Sequence, residues 1–439
     1  MNGILRSHRL GGRIVNRPCF DWAQHERFTM RLTALFWFIG SCFRLQDLPL
    51  RFTNCNIATF SHKIMSNKVH ITYLDSIRGL AALTVINEHY VIAYGLPCET
   101  TFCSKILDYS PFNFWWEGGA AVSMFFVLSG LVLSLRYFRV GHQVDLAQFN
   151  LLSFTVARLA RIWLPYLMVL LISAIGYSQI THAPILKTQL PPSDWITGMW
   201  HDYHLSLSDM CREAFLLILP ATVVLLPQAW TLSIELVLSL LLPVGLLLAE
   251  RGMIWLIFFV MFAVVLLGVS PYLMHFLFGL LIARYYSELS HYLTEHPWQR
   301  RLVLLLGIFL YTSGAILHDL KLSKAFVWLG AGLGASCILM FVIGSVKTQA
   351  MLSRSILHQI GKISYSAYLI HMLILLSLTP HILNWLELLT VDRFSLWLGG
   401  YVFTLLIVQG LSWCCYYCLE IPSISLGRRV ADAIRAVNF

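Results

Sequence analysis

Long apolar runs separated by short polar stretches dominate the chain from residue 74 onward. Most of these runs approach the ~20 residues that a helix needs to cross the hydrocarbon core of a bilayer. The pattern predicts ten membrane-spanning helices, at about 77–95, 118–137, 162–180, 230–249, 253–270, 271–286, 302–318, 326–346, 364–383 and 396–419. We therefore expect an all-α, polytopic membrane protein.

An eleventh apolar stretch, 214–227, is shorter and contains Pro220 and Pro227. If it does not cross and the first helix starts in the cytoplasm, sixteen Lys and Arg residues from residue 65 onward fall inside and six outside. This is the positive-inside distribution of membrane proteins, and a crossing at 214–227 would invert every later helix. The charges therefore predict one re-entrant or interfacial segment, which is a candidate wall of the site, and cytoplasmic N- and C-termini.

Composition agrees with this interpretation. Of 439 residues, 58% are hydrophobic and 12% are charged, whereas soluble domains carry about 25% charged residues. A soluble enzyme, a disordered chain and a disulfide scaffold do not fit such a composition. The net charge of +9 does not indicate a nucleic-acid partner, because the basic excess lies at the N-terminus and in short loops. The expected partner is the lipid bilayer.

The N-terminal region differs in character from the rest. Residues 1–64 hold nine Lys and Arg against three Asp and Glu, and their one apolar run, 32–43, is too short to span. Met65 directly precedes the first strong helix. We expect an N-terminal extension at 1–64 that is disordered or an over-extended start, a membrane domain at 65–430 and a short cytoplasmic tail at 431–439.

Three cysteines fall in loops on the predicted outer side: Cys98, Cys103 and Cys211. Disulfides form in oxidising compartments. These three could therefore form a disulfide if the outer side is oxidising.

Ionisable residues inside spanning helices are costly and mark function by default. Arg78 and His89 lie in the first predicted helix, about 16 Å apart along its axis and near one face, since eleven residues nearly complete three turns. They could line a common channel. The alternatives are that Arg78 is an interfacial anchor and that His89 is a core histidine with satisfied hydrogen bonds.

Further polar residues accompany the later helices. Arg158 and Arg161 stand just before the third span, at an i, i+3 spacing that puts both guanidinium groups on one face. Planar guanidinium groups suit phosphate, although ordinary positive-inside charge is the alternative. Glu235 lies early in an apolar helix, where a carboxylate must be paired or protonated. His371 lies beneath a polar stripe formed by Ser364, Tyr365, Ser366 and Tyr368.

These stretches together resemble the integral-membrane acyltransferase family 3, over roughly residues 70–430. The similar segments are the opening helix that closes at His89 with an Arg-x10-His motif, Ser123-Met-Phe-Phe-Val-Leu-Ser-Gly130, Arg158-Leu-Ala-Arg161-Ile-Trp-Leu-Pro165, Trp230-Thr-Leu-Ser-Ile-Glu235, Gly361-Lys-Ile-Ser-Tyr-Ser-Ala-Tyr-Leu-Ile-His371 and Glu420-Ile-Pro422. The sequence departs from the family at Val237-Leu238, where a Phe-Tyr pair is common, and at Glu88, where an apolar or aromatic residue is commoner. We do not expect the hydrolase-like domain that follows the last helix in some members.

The resemblance implies a membrane-bound O-acyltransferase. Acyl-CoA, commonly acetyl-CoA, would be a cytoplasmic co-substrate, with no permanently bound cofactor and no metal, and the acceptor would be a hydroxyl of a sugar or glycan. The expected roles are donor binding by Arg78, Arg158 and Arg161, general-base catalysis by His89, orientation or charge balance of that base by Glu235, and lining of the cavity by Ser364, Tyr365, Tyr368 and His371.

The main alternative is a transporter or flippase for a lipid-linked or acylated small molecule. Many spans with buried His and Glu also suit a proton-coupled carrier. The sequence does not show the paired inverted halves that many carriers have. In the acyltransferase interpretation we expect modification of a cell-envelope polysaccharide from a cell membrane, specifically a bacterial inner membrane. Lipid-linked sugars, peptidoglycan, periplasmic glucans and small secondary metabolites are the alternative acceptors.

Overall fold

The computed structural model describes residues 71–96, 101–138, 143–146, 149–180, 188–200, 205–215, 223–262, 270–389 and 392–437. The predicted extension at 1–64 lies outside these ranges. The described residues form helices and, apart from one isolated antiparallel bridge between Phe138 and Val144, no β-structure.

The helices of the first half are α1 (Thr72–Tyr94), α2 (Thr101–Tyr109), α3 (Gly118–Leu135), α4 (Leu151–Ile180), α5 (Asp194–Trp200), α6 (Leu207–Ala214), α7 (Trp230–Leu240), α8 (Leu242–Arg251) and α9 (Met253–Met261). Those of the second half are α10 (Tyr272–Arg284), α11 (Tyr286–Glu295), α12 (Pro297–Thr312), α13 (Gly314–Asp319), α14 (Lys324–Ile343), α15 (Val346–Leu352), α16 (Ser355–Lys362), α17 (Ser364–Ser377), α18 (Thr379–Glu387), α19 (Arg393–Cys415) and α20 (Ile421–Val437).

Four of these helical segments are long and apolar enough to cross a membrane within the described part of the chain: α3, α4, α14 and the continuous helix that begins with α19. Two bent pairs, α7 with α8 and α16 with α17, raise the number to six. Ten spans are therefore not confirmed. Hydropathy does not detect helix breaks, such as the one at Ser313 that divides the run at 302–318, and part of the run at 253–270 lies outside the described residues.

Two apolar clusters form the core. One draws mainly on α3, α10 and α14, and the other on α4, α17 and α19. Helices α1 and α7 contribute to both: Ile77 and Ile234 belong to the first cluster, whereas Ile86 and Leu232 belong to the second. The polar residues of α1 and α7 therefore lie where the two clusters meet.

Glycines allow two close helix contacts. A Cβ on Gly79 of α1 would come within 2.7 Å of the backbone nitrogen of Gly361, at the end of α16. A Cβ on Gly130 of α3 would come within 1.9 Å of the carbonyl oxygen of Phe276 on α10. Side chains at these positions would force the helices apart. Two of the glycines in the family-like segments thus serve close packing.

The predicted re-entrant stretch, 214–227, is described only at its ends, because 216–222 lie outside the described residues. The end that is described has non-helical backbone at 223–226, completely buried. Its polar groups are satisfied by side chains: Glu213 accepts hydrogen bonds from the backbone N–H groups of Val224 and Leu225, at 2.7 and 3.0 Å. Irregular backbone at membrane depth would require such burial, but a re-entrant segment at 214–227 is not confirmed.

The chain after α19 continues through a π-helical turn, Tyr416–Glu420, into α20. Together they form a helix of 44 residues from 393 to 436. At 1.5 Å per residue this is about 66 Å, roughly twice the thickness of a hydrocarbon core. Part of it must therefore project beyond the bilayer, and the tail predicted from residue 431 is the end of α20.

The cysteines behave differently from one another. Cys103 on α2 is disulfide-bonded, whereas Cys211 on α6 is an exposed free thiol. Cys98 lies outside the described residues.

Candidate active site

Two histidines from different helices meet inside the protein. His89 lies on α1 and His371 on α17, with Nδ1 of His89 2.8 Å from Nε2 of His371. The ring planes are inclined by 4° and the centroids are 5.0 Å apart, as expected for rings that share a hydrogen bond at their edges. His371 is completely buried. The structure thus brings together the residue expected as base and one expected in the cavity wall.

Each histidine has a second neighbour. Nδ1 of His371 lies 2.7 Å from the backbone carbonyl oxygen of Tyr368. The ring of His89 lies against the indole of Trp195 on α5, with the centroids 5.5 Å apart and the planes inclined by 27°. His89 itself is half-buried. Both rings are therefore held by neighbours, and of the two only His89 has a surface that is accessible from outside the protein.

Helix α17 is tied to the start of α7 beside this pair. The hydroxyl of Tyr368 lies 2.8 Å from that of Thr231. Nε2 of Gln228 donates to the carbonyl oxygen of Leu369 at 2.7 Å. These hydrogen bonds fix the turn of α17 that carries His371, and they connect it to the segment that carries Glu235.

A second polar group forms around Arg158 on α4. Its Nη2 donates to Oε1 of Glu235 at 2.9 Å and to Oγ of Ser239 at 2.8 Å. Arg158 is buried, and the Glu235 side chain is 28% exposed. A buried guanidinium requires such a partner, because an isolated charge would be very costly there.

The other two predicted arginines lie close to this ion pair. Arg78 donates to Asp75 at 3.0 Å and interacts electrostatically with Arg161, Glu235 and Glu420. Arg158 in turn interacts with both Arg78 and Arg161. We call Arg78, Arg158, Arg161, Asp75, Glu235 and Glu420 the arginine cluster.

Within the arginine cluster, Arg161 is exposed. Glu420, in the π-helical turn, is buried and accepts a hydrogen bond from Ser366 at 3.0 Å. Arg161 is thus the arginine most open to a ligand from outside the protein.

Helix α1 connects the two groups. It is unbroken from Arg78 to His89, so their backbones are about 16 Å apart along the axis. The arginine cluster therefore lies toward the start of this helix and the histidine pair in its second half.

One predicted contact differs in the structure. Glu235 was expected to orient His89, but its carboxylate is bound by Arg158. The partner of His89 is His371. Among the described residues no hydrogen bond joins Glu235 to His89. The physical reason is that a buried arginine has the greater need for a carboxylate, whereas a neutral imidazole can be satisfied by another ring.

Ser364 and Tyr365, which were predicted to line the cavity, have their hydroxyl groups on backbone carbonyls. Ser364 donates to Gly361 at 2.8 Å, at the 64° bend between α16 and α17. Tyr365 donates to Ile162 of α4 at 2.6 Å. These two residues thus hold α17 in place beside the site.

Sequence reasoning missed several participants. Glu420 occurs in a family-like segment but has no predicted role in the site, and Thr231 lies unremarked in the segment that ends at Glu235. Their position in family-like segments was the signal that could have identified both residues as part of the site. Trp195 gave none, because it lies in a short helix outside every predicted span.

One cavity lies away from both polar groups. It has a volume of about 100 Å³ and is lined by Glu117, Tyr311, Trp328 and seven further residues. No predicted site residue lines it. Within the described ranges no group of three His, Cys, Asp or Glu side chains is placed to hold a metal ion.

The arrangement combines a neutral, hydrogen-bonded imidazole pair with a nearby group of guanidinium ions. An imidazole can accept a proton near neutral pH, and guanidinium groups bind phosphates through paired donors. The chain can therefore offer a base and an anion site along one helix.

Comparison with protein families gives an independent result. The family model described as an acyltransferase domain, that of acyltransferase family 3, matches residues 71–413. This range contains α1, α4, α7 and α17, which carry the histidine pair and every member of the arginine cluster except Glu420. No curated protein and no solved structure matches the chain. The chain belongs to this family of membrane acyltransferases and is a transferase.

Proposed function

We propose that the protein moves an acyl group, commonly acetyl, from cytoplasmic acyl-CoA to a hydroxyl of a sugar or glycan. The observation that carries the proposal is that His89, which contacts His371 of α17, lies on the same helix as Arg78. It provides a base and, about three turns before it, the edge of a phosphate-binding group. The match to an acyltransferase domain gives no support to the alternative of a transporter or flippase.

In this proposal His89 removes the proton from the acceptor hydroxyl as its oxygen attacks the thioester carbonyl. A carbon–oxygen bond forms and the carbon–sulfur bond breaks. The proton held by His89 then passes to the departing CoA thiolate, so the imidazole is neutral again at the end. No oxidant or metal is needed for this balance.

The arginine cluster would bind the donor. CoA carries a pyrophosphate and a 3′-phosphate, and Arg161 is the exposed arginine. Arg158 is engaged by Glu235 and Ser239 but has an Nε without a hydrogen-bond partner among the described residues. We assign first contact with phosphate to Arg161, with Arg78 assisting at the entrance and Arg158 holding the cluster together.

The proposed orientation puts this cluster at the cytoplasmic side. The predicted inner loops carry the excess of Lys and Arg. Cys103, on the other predicted side, is disulfide-bonded, as suits an oxidising compartment. Donor and acceptor would then approach the histidine pair from opposite sides of the membrane, with both termini in the cytoplasm of a bacterial cell.

The proposal is tested with purified protein in lipid nanodiscs, acetyl-CoA and a panel of cell-envelope glycans. We expect release of free CoA that depends on the glycan, together with acetylated glycan seen by mass spectrometry. The His89→Ala protein should release CoA about 10³-fold more slowly. Movement of an intact acylated compound into proteoliposomes, with no CoA released under any condition, would overturn the proposal in favour of transport.

A further inference from the structure

The hydrogen bonds around the histidine pair determine which nitrogen of each ring carries a proton. The chain begins at the carbonyl oxygen of Tyr368, which can only accept a hydrogen bond. It lies 2.7 Å from Nδ1 of His371. That nitrogen must therefore be the protonated one.

The second step follows from the first. A neutral imidazole has one N–H and one lone pair. With its proton on Nδ1, His371 presents an unprotonated Nε2, which lies 2.8 Å from Nδ1 of His89. Nδ1 of His89 must then carry a proton and donate it. The remaining nitrogen of His89, Nε2, is left with its lone pair.

A doubly protonated His371 would be the only other way to satisfy both contacts. That ring has no exposed surface, and among the described residues no carboxylate lies within salt-bridge distance of it. A charged group in such a place is strongly disfavoured. The neutral chain from carbonyl to His371 to His89 is the arrangement that the surroundings permit.

We infer that His371 is a positioning residue that fixes the tautomer and the ring orientation of His89, so that Nε2 of His89 is the atom that accepts the proton of the acceptor hydroxyl. This inference rests on the proposed function. It replaces Glu235, bound by Arg158, with a neutral imidazole as the group that orients the base. A base oriented by a third group is a general feature of nucleophilic catalysis.

The surroundings hold the arrangement rigid. Trp195 covers a face of the His89 ring. Gln228 binds the carbonyl of Leu369 and approaches that of Tyr368 at 3.4 Å. When His89 gains a proton on Nε2, its Nδ1–H donates more strongly to His371. The positive charge is thus stabilised without any proton leaving His89 toward His371.

Two substitutions of His371 separate positioning from packing. In His371→Gln the side-chain oxygen can accept the hydrogen bond from His89, whereas His371→Met has similar bulk but no strong acceptor. We expect His371→Met to lower kcat by about 10- to 100-fold, as loss of a supporting partner commonly does, and to leave KM for acetyl-CoA within about threefold. His371→Gln should recover most of the lost kcat.

His275 provides the matched control. It is also completely buried, and its Nε2 lies 2.9 Å from the carbonyl oxygen of Trp328, but it is not part of the site. His275→Met therefore tests the cost of removing a buried histidine as such. We expect it to leave kcat unchanged once the amount of folded protein is taken into account.

A measurement on the unsubstituted protein keeps the inference testable even if a variant does not fold. With ¹⁵N-labelled histidine, and His89→Gln to assign the resonances, the nitrogen shifts of His89 should show an unprotonated Nε2 and a protonated Nδ1. A proton on Nε2 of the neutral ring overturns the inference, as does wild-type kcat in a folded His371→Met protein. If His89→Ala itself transfers acyl groups normally, the proposed function fails instead.

Discussion

The histidine pair and the arginine cluster share α1 but stabilise their polar groups in opposite ways. His89 and His371 satisfy each other's hydrogen bonds as neutral rings, and the hydrogen-bond chain ends behind His371 at a backbone carbonyl. The arginine cluster instead balances guanidinium ions against carboxylates, with Arg158 and Glu235 in direct contact. One region is a chain of hydrogen bonds between neutral groups, which we call the relay although no proton moves along it. The other region is a network of charges.

This difference indicates that the two regions have separate roles, one in the chemical step and the other in donor binding or stability. A neutral relay depends on geometry, so small displacements of its members should affect the chemical step. A charge network acts over several ångströms and depends on screening and on the number of charges. We therefore expect substitutions in the histidine pair to lower kcat and substitutions in the arginine cluster to change donor binding or stability.

The largest effect is expected from His89→Ala, which removes the proposed base. General-base catalysis contributes about 10²- to 10⁴-fold, so kcat should fall by about 10³-fold. Because the arginine cluster is untouched, the affinity for CoA should change less than about threefold. Isothermal titration with CoA and the rate of CoA release measure the two quantities on one preparation.

His381, exposed on α18, is the control for this substitution. His381→Ala should be indistinguishable from the unsubstituted protein. If His89→Ala weakened CoA binding as strongly as it slowed transfer, the two regions would not have separate roles.

The ion pair of the arginine cluster should contribute to stability. Removing either partner of a largely buried pair leaves a poorly compensated charge, although the partial exposure of Glu235 reduces the cost. A double-mutant cycle with Arg158→Met and Glu235→Leu should give a coupling free energy of about 2 kcal/mol. Denaturant unfolding in detergent micelles measures it.

Arg435 and Asp432 on α20 offer a matched exposed pair, 3.4 Å apart with side chains 51% and 71% exposed. The same cycle there should give less than about 0.5 kcal/mol. Equal coupling in the two pairs would show that the burial of Arg158 has no energetic consequence.

Much of this arrangement could be predicted from sequence, and the rest depended on tertiary contacts. The relation between Arg78 and His89 follows from helical periodicity within one segment. The contact of His89 with His371 joins residues 282 positions apart, which no local pattern specifies. Glu235 was assigned to His89 because a carboxylate suits an imidazole as well as a guanidinium, and the sequence alone cannot choose between them.

The number of spans illustrates the same limit. Hydropathy identifies apolar segments but does not identify where a helix bends. The segment at 230–249 bends by 48° between α7 and α8, and the segment at 364–383 is interrupted at Leu378. A proline stands in the first turn of the helix that follows each break, Pro243 in α8 and Pro380 in α18. Proline removes a hydrogen bond of the helix ladder, but a hydropathy average does not register this.

A smaller effect is expected from Arg161→Ala. This exposed arginine is the proposed first contact for the donor phosphates, and a charge-assisted hydrogen bond is worth about 1.5 kcal/mol. KM for acetyl-CoA should rise by about tenfold while kcat changes less than twofold. Arg435→Ala, which also removes one exposed positive charge, serves as the control and should leave KM unchanged.

The smallest predicted effect is that of salt. It compares the two regions within one protein, because KM reports on the arginine cluster and kcat on the histidine pair. Raising the ionic strength from about 0.05 to about 0.3 M shortens the distance over which exposed charges interact. KM for acetyl-CoA should therefore rise by about two- to threefold, because Arg161 is exposed to the solution. The value of kcat should not change, since the histidine pair is uncharged and His371 is buried. In Arg161→Ala the salt dependence of KM should weaken as well, because the charge being screened is gone.

A kcat that fell with salt in both proteins would mean that charges outside the arginine cluster act on the chemical step, and the division between relay and charge network would no longer hold.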